Sequence, residues 1–254
     1  MMRNRLLLLG LLLGAAPMTL AQYFDLPPLP EPWEFGNVLI TRQSETSTEA
    51  PVLFSHWSHR RHHACRVCHF ELGFAVKANE TEITERSNAA GEFCGACHDG
   101  EIAFAHSKEN CARCHGVPGT DYREMFGELT MLPSAPYGTG IDWNQAVEQD
   151  LVSPELSLFD KHYEPVDFED ELDIDAKWSM IPPAEFPHEK HKLWLDCGDC
   201  HPGIFNVGAN TTQHFQMRYI LDGKFCGACH LNVAFPLNDC KRCHPAMRTR
   251  GGAG

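Results

Sequence analysis

The sequence predicts a mostly irregular fold of short α-helices with little or no β-sheet, arranged as two similar modules. Three observations predict it. All twelve cysteines fall in six Cys-x-x-Cys pairs, and a histidine follows every pair. The spacing of these units repeats within the chain at an offset of 132 residues. Each repeat spans about 65 residues, too few to build a substantial apolar core by itself.

The six units are Cys65-Arg-Val-Cys68-His69, Cys94-Gly-Ala-Cys97-His98, Cys111-Ala-Arg-Cys114-His115, Cys197-Gly-Asp-Cys200-His201, Cys226-Gly-Ala-Cys229-His230 and Cys240-Lys-Arg-Cys243-His244. Each is the attachment motif for c-type haem. Two thiols add to the two vinyl groups of one haem, and the next residue lies beneath the iron, where its imidazole is the proximal ligand. A disulfide framework is the ordinary reading of a cysteine-rich exported chain, but this spacing does not fit it. Zinc would explain paired Cys-x-x-Cys units, though not a histidine after all six. Thioredoxin-like chemistry needs one such pair in a βαβ setting, which is absent from the pattern. Six covalently bound haem c groups are therefore expected, with His69, His98, His115, His201, His230 and His244 as proximal ligands. The haems then serve as the core, and the fold class is that of a multihaem cytochrome c.

Residues 1–21 read as a secretory signal peptide: Arg3 and Arg5 precede the apolar run Leu6 to Ala16, and Thr19-Leu20-Ala21 supplies small residues for cleavage. The alternative, an uncleaved anchor, is opposed by a run shorter than the ~18 residues a span needs. Cysteine first occurs at Cys65, so no lipid-bearing cysteine heads the mature chain. Losing Arg3 and Arg5 takes the formal charge from −13 to −15. A periplasmic or extracellular protein without a stable membrane span is expected. Residues 22–50 form a Pro-rich arm with Pro27, Pro28, Pro30 and Pro32. It should be extended and without its own core, with Trp33 and Phe35 docking on a module or on a partner.

Residues 51–120 and 183–247 are the two modules. Phe54, His56, His59, Cys65, Cys68 and His69 recur as Phe186, His188, His191, Cys197, Cys200 and His201, all at the offset of 132. The same offset carries Phe93-Cys-Gly-Ala-Cys-His98 onto Phe225-Cys-Gly-Ala-Cys-His230. Beyond that the halves slip, and the third motif arrives three residues earlier in the second. Such self-similarity marks a repeat architecture, here of three haems per module.

Fifteen histidines less six proximal ones leave nine for six distal positions. His56 and His59 are spaced i, i+3, as are His188 and His191, so each pair shares one face of a helical turn. One of each pair can serve its own first haem while the other reaches a neighbour. His214 and Met217 are again i, i+3, but their first-half counterparts are Glu82 and Glu85, poor haem ligands. His106 is therefore expected at the third haem of the first half and His214 at that of the second, with Met217 as rival. His62, His63 and His162 remain as surplus, read as solvent-exposed or propionate-contacting, with distal ligation, in a filament to a neighbour's haem, as the alternative.

The order Phe-x-His-x-x-His, Cys-x-x-Cys-His, Phe-Cys-Gly-Ala-Cys-His-Asp-Gly, Ala-Phe and a third motif resembles the triheme class III cytochromes c over about residues 51–117 and 183–246. These are small periplasmic electron carriers, also found as tandem multidomain chains. The resemblance implies distal–proximal pairs of His56 with His69, His59 with His98, His188 with His201 and His191 with His230. Tandem relatives often have methionine at the distal position of the third haem, where Met217 stands; Glu85 departs from that pattern.

Residues 121–182 hold no cysteine but fifteen Asp/Glu and three Lys/Arg, with Asp167 to Asp175 the densest stretch. This is read as an acidic linker, either simply solvated or a docking strip for a basic redox partner, since long-range charge steers encounter. The acidic balance excludes nucleic acid as a partner. Residues 248–254 are a flexible tail. With distal histidines enough for every haem, no iron is left open for substrate, so the chain is expected not to be an enzyme. The reading is an exported hexahaem carrier or conduit of electrons between redox proteins. The alternatives are self-assembly as a protomer of an extracellular cytochrome filament, and a reductase with one open haem.

Overall fold

The computed structural model describes residues 26–116, 122–168, 170–175, 181–208 and 211–247. Residues 1–21, expected as a signal peptide, and the expected tail 248–254 lie outside the described residues. Secondary structure is sparse and short. Strand β1 (Asn37–Ile40) pairs antiparallel with β2 (Val52–Ser55), and β3 (Glu171–Ile174) with β4 (Ala184–Pro187). In β3, exposed Glu171 and Asp173 alternate with half-buried Leu172 and Ile174, the period of a strand with one face turned inward.

The two hairpins are counterparts. Asn37 opposes Ser55 as Glu171 opposes Pro187, and Ile40 opposes Val52 as Ile174 opposes Ala184. Strands β2 and β4 keep the offset of 132, whereas β1 and β3 differ by 134, because the first connection is two residues longer. The internal repeat thus reaches back into the Pro-rich arm and into the acidic stretch, where no shared residue pattern announces it.

Each second strand runs straight into a turn of helix carrying the paired histidines, His56–Arg60 and His188–Lys192. Single turns also cover Cys111–Cys114, Cys197–Cys200, Gly227–His230 and Cys240–Cys243. Helices this short do not persist alone in water; tertiary contacts hold them. Glu85–Ala89 and Met217–Leu221 lie against the second motif of each half. A Cβ at Gly95 would stand 1.9 Å from the Asn88 carbonyl oxygen, and one at Gly227 1.9 Å from that of Ile220. Glycine inside Phe-Cys-Gly-Ala-Cys-His therefore permits backbone-to-backbone contact there.

The apolar core draws on both halves and on the segment between them. Trp57 and Ala64 of the first half, Phe126, Leu129, Ile141 and Trp143 of the middle segment, and Trp194 of the second half form one buried cluster. The indole N–H groups are satisfied: Trp57 donates to the Trp33 carbonyl (2.9 Å), Trp143 to Thr139 Oγ1 (3.1 Å) and Trp194 to Asn144 Oδ1 (2.6 Å). The Arg60 guanidinium lies over the Trp143 ring (4.9 Å) and the Trp194 ring (4.7 Å), a cation–π arrangement that spans the halves. A plainly solvated linker is thus corrected: residues 122–175 supply apolar side chains that neither small module has. The arm docks as well. Trp33 packs against the cluster, and Phe35 is 2% exposed.

Removing one of these rings should loosen the assembly without touching attachment. Trp143→Ala should cost about 3–5 kcal/mol, as large-to-small core changes do. A fall in the chemical-denaturation midpoint, with the haem complement by intact mass unchanged, is the expected result.

Candidate haem sites

A histidine can hold a metal only if one ring nitrogen is unprotonated and aimed, and its other nitrogen usually fixes both properties. The histidine after each motif meets this condition through a backbone carbonyl. Nδ1 of His69 donates to the Phe74 carbonyl (2.9 Å), His98 to Phe104 (3.0 Å), His115 to Ala50 (2.6 Å), His201 to Phe205 (2.8 Å), His230 to Phe235 (3.1 Å) and His244 to Pro182 (2.8 Å). A carbonyl oxygen only accepts, so the proton belongs on Nδ1, and Nε2 keeps its lone pair. Ala50 and Pro182 stand at the offset of 132, which shows the arrangement repeating in the third site of each half.

The four upstream histidines are held in the same way. Nδ1 of His56 donates to the Gly36 carbonyl (2.7 Å), His59 to Ser55 (2.8 Å), His188 to Asp170 (2.8 Å) and His191 to Pro187 (2.9 Å). Gly36 and Asp170 immediately precede β1 and β3, so each hairpin brings a distant carbonyl to a ring. Phe54 lies 4.9 Å from the His56 ring and 4.4 Å from that of His59, and Phe186 lies 4.9 and 4.3 Å from His188 and His191. The phenylalanine of Phe-x-His-x-x-His thus wedges the two rings apart.

Two facing pairs result. The His59 and His98 ring centroids are 6.3 Å apart, and those of His191 and His230 are 6.1 Å apart. Two imidazoles sharing one metal at ~2 Å per bond place their centroids about 6 Å apart, so these pairs have the spacing that one iron requires. His56 also lies near His69. Burial pushes the His56 and His230 rings down to about 4, and lowers His59 and His191 as well. Such rings are neutral near pH 7, the form that binds metal.

The remaining candidates differ. His106 and His214 are exposed, and His214 has a left-handed backbone (φ 59°). Met217 is half-buried at the start of its helix, while Glu85, at the same place in the first half, is exposed. Of the surplus histidines, His63 faces Glu155 at 3.4 Å, and His62 and His162 are exposed.

The cysteines lie close together as a series. Burial pushes the Cys68, Cys226 and Cys229 thiols up to about 12, and those of Cys94, Cys200 and Cys243 to about 11. Neighbouring sulfurs add to this: Cys114 at Cys94, Cys97 at Cys68, Cys65 at Cys229, Cys200 and Cys243 at Cys226. Sequence reasoning found the cysteines and their histidines; it missed the carbonyls, because any residue supplies a carbonyl.

Six attachment pairs, each with an anchored imidazole and sparse secondary structure around it, define a multihaem c-type cytochrome. The family profile for cytochrome c7 and related cytochrome c matches residues 52–116 and 184–245, and the chain belongs to that family. Its twelve cysteines accommodate six covalently bound haem c groups. Among solved structures, the C-terminal hexaheme fragment of the cytochrome GSU1996 is similar at 24% identity, covering 86% of this chain and 98% of that one, with a TM-score of 0.27. The N-terminal hexaheme fragment is also 24% identical, covering 84% and 99%, at 0.25. The whole dodecaheme cytochrome c, again at 24%, covers 84% and 75%, at 0.29. No curated protein matches. Among the described residues, no helix is long and apolar enough to cross a membrane.

The count is testable by mass. The mature protein should retain six haems after full denaturation, because thioether bonds do not depend on the fold. Replacing Cys111 and Cys114 together with alanine should leave five, whereas six remaining would show that this pair is not an attachment site.

Proposed function

We propose that this chain is an exported electron carrier or conduit, in which ten histidines hold the first two irons of each half on both faces and the third iron of each half from its attached side. Haem c supplies a one-electron ferric/ferrous couple when bound. The observation that carries the reading is the set of ten Nδ1–H to carbonyl bonds. A ring fixed this way keeps its position and tautomer whichever charge the iron carries, so little rearranges when one electron arrives or leaves. Ligation from both faces leaves no position for substrate at the first two irons of each half, which favours electron transfer over catalysis there.

On this reading His56, His59, His188 and His191 are the distal ligands of the His69, His98, His201 and His230 irons. At the third sites we assign His106 opposite His115 and His214 opposite His244, with Met217 as rival. His106→Ala should open the His115 iron, seen as a new high-spin signal and carbon monoxide binding to the reduced protein. Met217→Leu should change nothing if His214 is the ligand; loss of a methionine-ligation band would reverse that assignment. Carbon monoxide binding by the unaltered reduced protein would instead favour a reductase with an open haem.

The N-terminal signal reading places the carrier in the periplasm or outside the cell, where its partners are other redox proteins. Asp167, Asp170, Glu171 and Asp173 are exposed along and before β3, beside the hairpin that holds His188. Exposed charge of one sign steers an oppositely charged partner and is screened by salt. Electron transfer from a basic single-haem cytochrome c should therefore slow as ionic strength rises. Neutralising these four residues should flatten that dependence and leave the haem spectrum unchanged. Light scattering distinguishes this carrier from a filament protomer, which would assemble at micromolar concentration.

A further inference from the structure

The two halves do not meet end to end through exposed loops. Beside the tryptophan cluster, and beside the approach of Cys65 to Cys229, they meet at their first attachment motifs. Arg66, inside Cys65-Arg-Val-Cys68-His69, has a side chain only 4% exposed. Its guanidinium donates to Glu71 Oε1 at 2.7 Å, to the Leu156 carbonyl and to Asp196 Oδ2 at 3.4 Å, and it lies 3.7 Å from the centre of the Tyr163 ring. One side chain thus ties the first motif of one half to the middle segment and to the residue just before Cys197. The Arg66 amide donates to the Trp194 carbonyl (2.9 Å), and the other Glu71 oxygen accepts from the Leu158 amide (2.9 Å).

The contact continues on both sides of Arg66. A Cβ at Gly198 would stand 2.6 Å from the Phe70 ring, so the turn after Cys197 and the residue after His69 are already touching. Asp199, between Cys197 and Cys200, also lies near Cys65 and His69. Haem bound at these motifs would be held by Cys65 and Cys68 on one side of this contact and by Cys197 and Cys200 on the other.

We propose that electrons cross between the halves at these first attachment loops, and that Arg66 is the positioning residue that sets the gap. This rests on the electron-transfer reading above. A buried guanidinium with two carboxylate partners is costly to disrupt, and its fork fixes direction as well as distance. Tunnelling falls steeply with edge separation, so a junction held this way carries the exchange between modules while each module exchanges within itself.

The test uses the mature hexahaem protein and its assigned haem signals. Exchange rates between haems are measured by magnetisation-transfer NMR at partial reduction, with spin–spin coupling of the oxidised haems read by EPR. Two variants are compared. Arg66→Gln removes the cation. Asp196→Asn removes one partner but keeps the oxygen that caps the Cys197–Cys200 turn, where asparagine caps as well as aspartate; it serves if Arg66→Gln fails to mature. Each should carry six haems with unchanged low-spin spectra and unchanged exchange within each half. Exchange between the halves should slow by about tenfold, the effect of ~1.4 kcal/mol in barrier, and coupling between the His69 and His201 haems should be lost. Unchanged exchange between halves in both variants would overturn the proposal, as would coupling of the His69 haem to the His230 haem alone. Absence of exchange even within a half of the unaltered protein would instead sink the electron-transfer reading itself.

Discussion

The hydrogen bond from an imidazole Nδ1 to a backbone carbonyl is the constraint on which the rest of this structure depends. Ten rings require ten carbonyls, and local turns supply only some of them. Phe74, Phe104, Phe205 and Phe235 lie a few residues beyond their histidines and are reached by the chain simply turning back. Gly36, Ala50, Asp170 and Pro182 are 18 to 65 residues from theirs. These four flank the hairpins: Gly36 and Asp170 precede the first strand, and Ala50 and Pro182 lie two residues before the second. The hairpins therefore act as frames that deliver carbonyls to two separate rings. That accounts for sheet in a chain that otherwise has almost none.

Much of this was legible in the sequence because cysteine and histidine carry their chemistry in their identity. The attachment motifs, the paired histidines and the offset of 132 needed only counting. What escaped was everything mediated by backbone or by burial. Strand β1 shares no residue with β3, Asn-Val-Leu-Ile against Glu-Leu-Asp-Ile, beyond a terminal isoleucine; register and not identity makes them equivalent. The middle segment reads as a charge run because six carboxylates stand against three apolar residues from Asp167 to Asp175. Yet Phe126, Leu129, Ile141 and Trp143, widely spaced upstream, are buried, as are Ala146 and Val152. Charge patterning reports a surface, and a segment can be acidic on that surface while it supplies a core beneath.

That division of labour follows from size. Neither module is large enough to bury much apolar area alone. Stability has to come from a place where both modules lose water together. The tryptophan cluster provides it, with one indole from each half and a third between them. Arg60 and Arg66 are tolerated there because aromatic faces and carboxylates surround them; unpaired buried cations would not be. The same contacts that stabilise the pair of modules also fix their relative orientation.

Where the backbone imposes no constraint, the halves have diverged. Glu85 and Met217 begin equivalent helices against equivalent motifs, and their carbon chains are of similar length. A carboxylate loses far more on leaving water than a thioether does, which fits Glu85 being exposed and Met217 half-buried. One helix turn thus offers a soft sulfur to the interior in the second half and nothing in the first. The first half has instead an extra stretch after Phe104 that carries His106, and the second has His214 ahead of its helix. The proximal rings of the same third sites, His115 and His244, stayed equivalent because Ala50 and Pro182 hold them from the hairpins. Among the residues facing the third sites, the difference falls on positions that no strand holds, Glu85 against Met217.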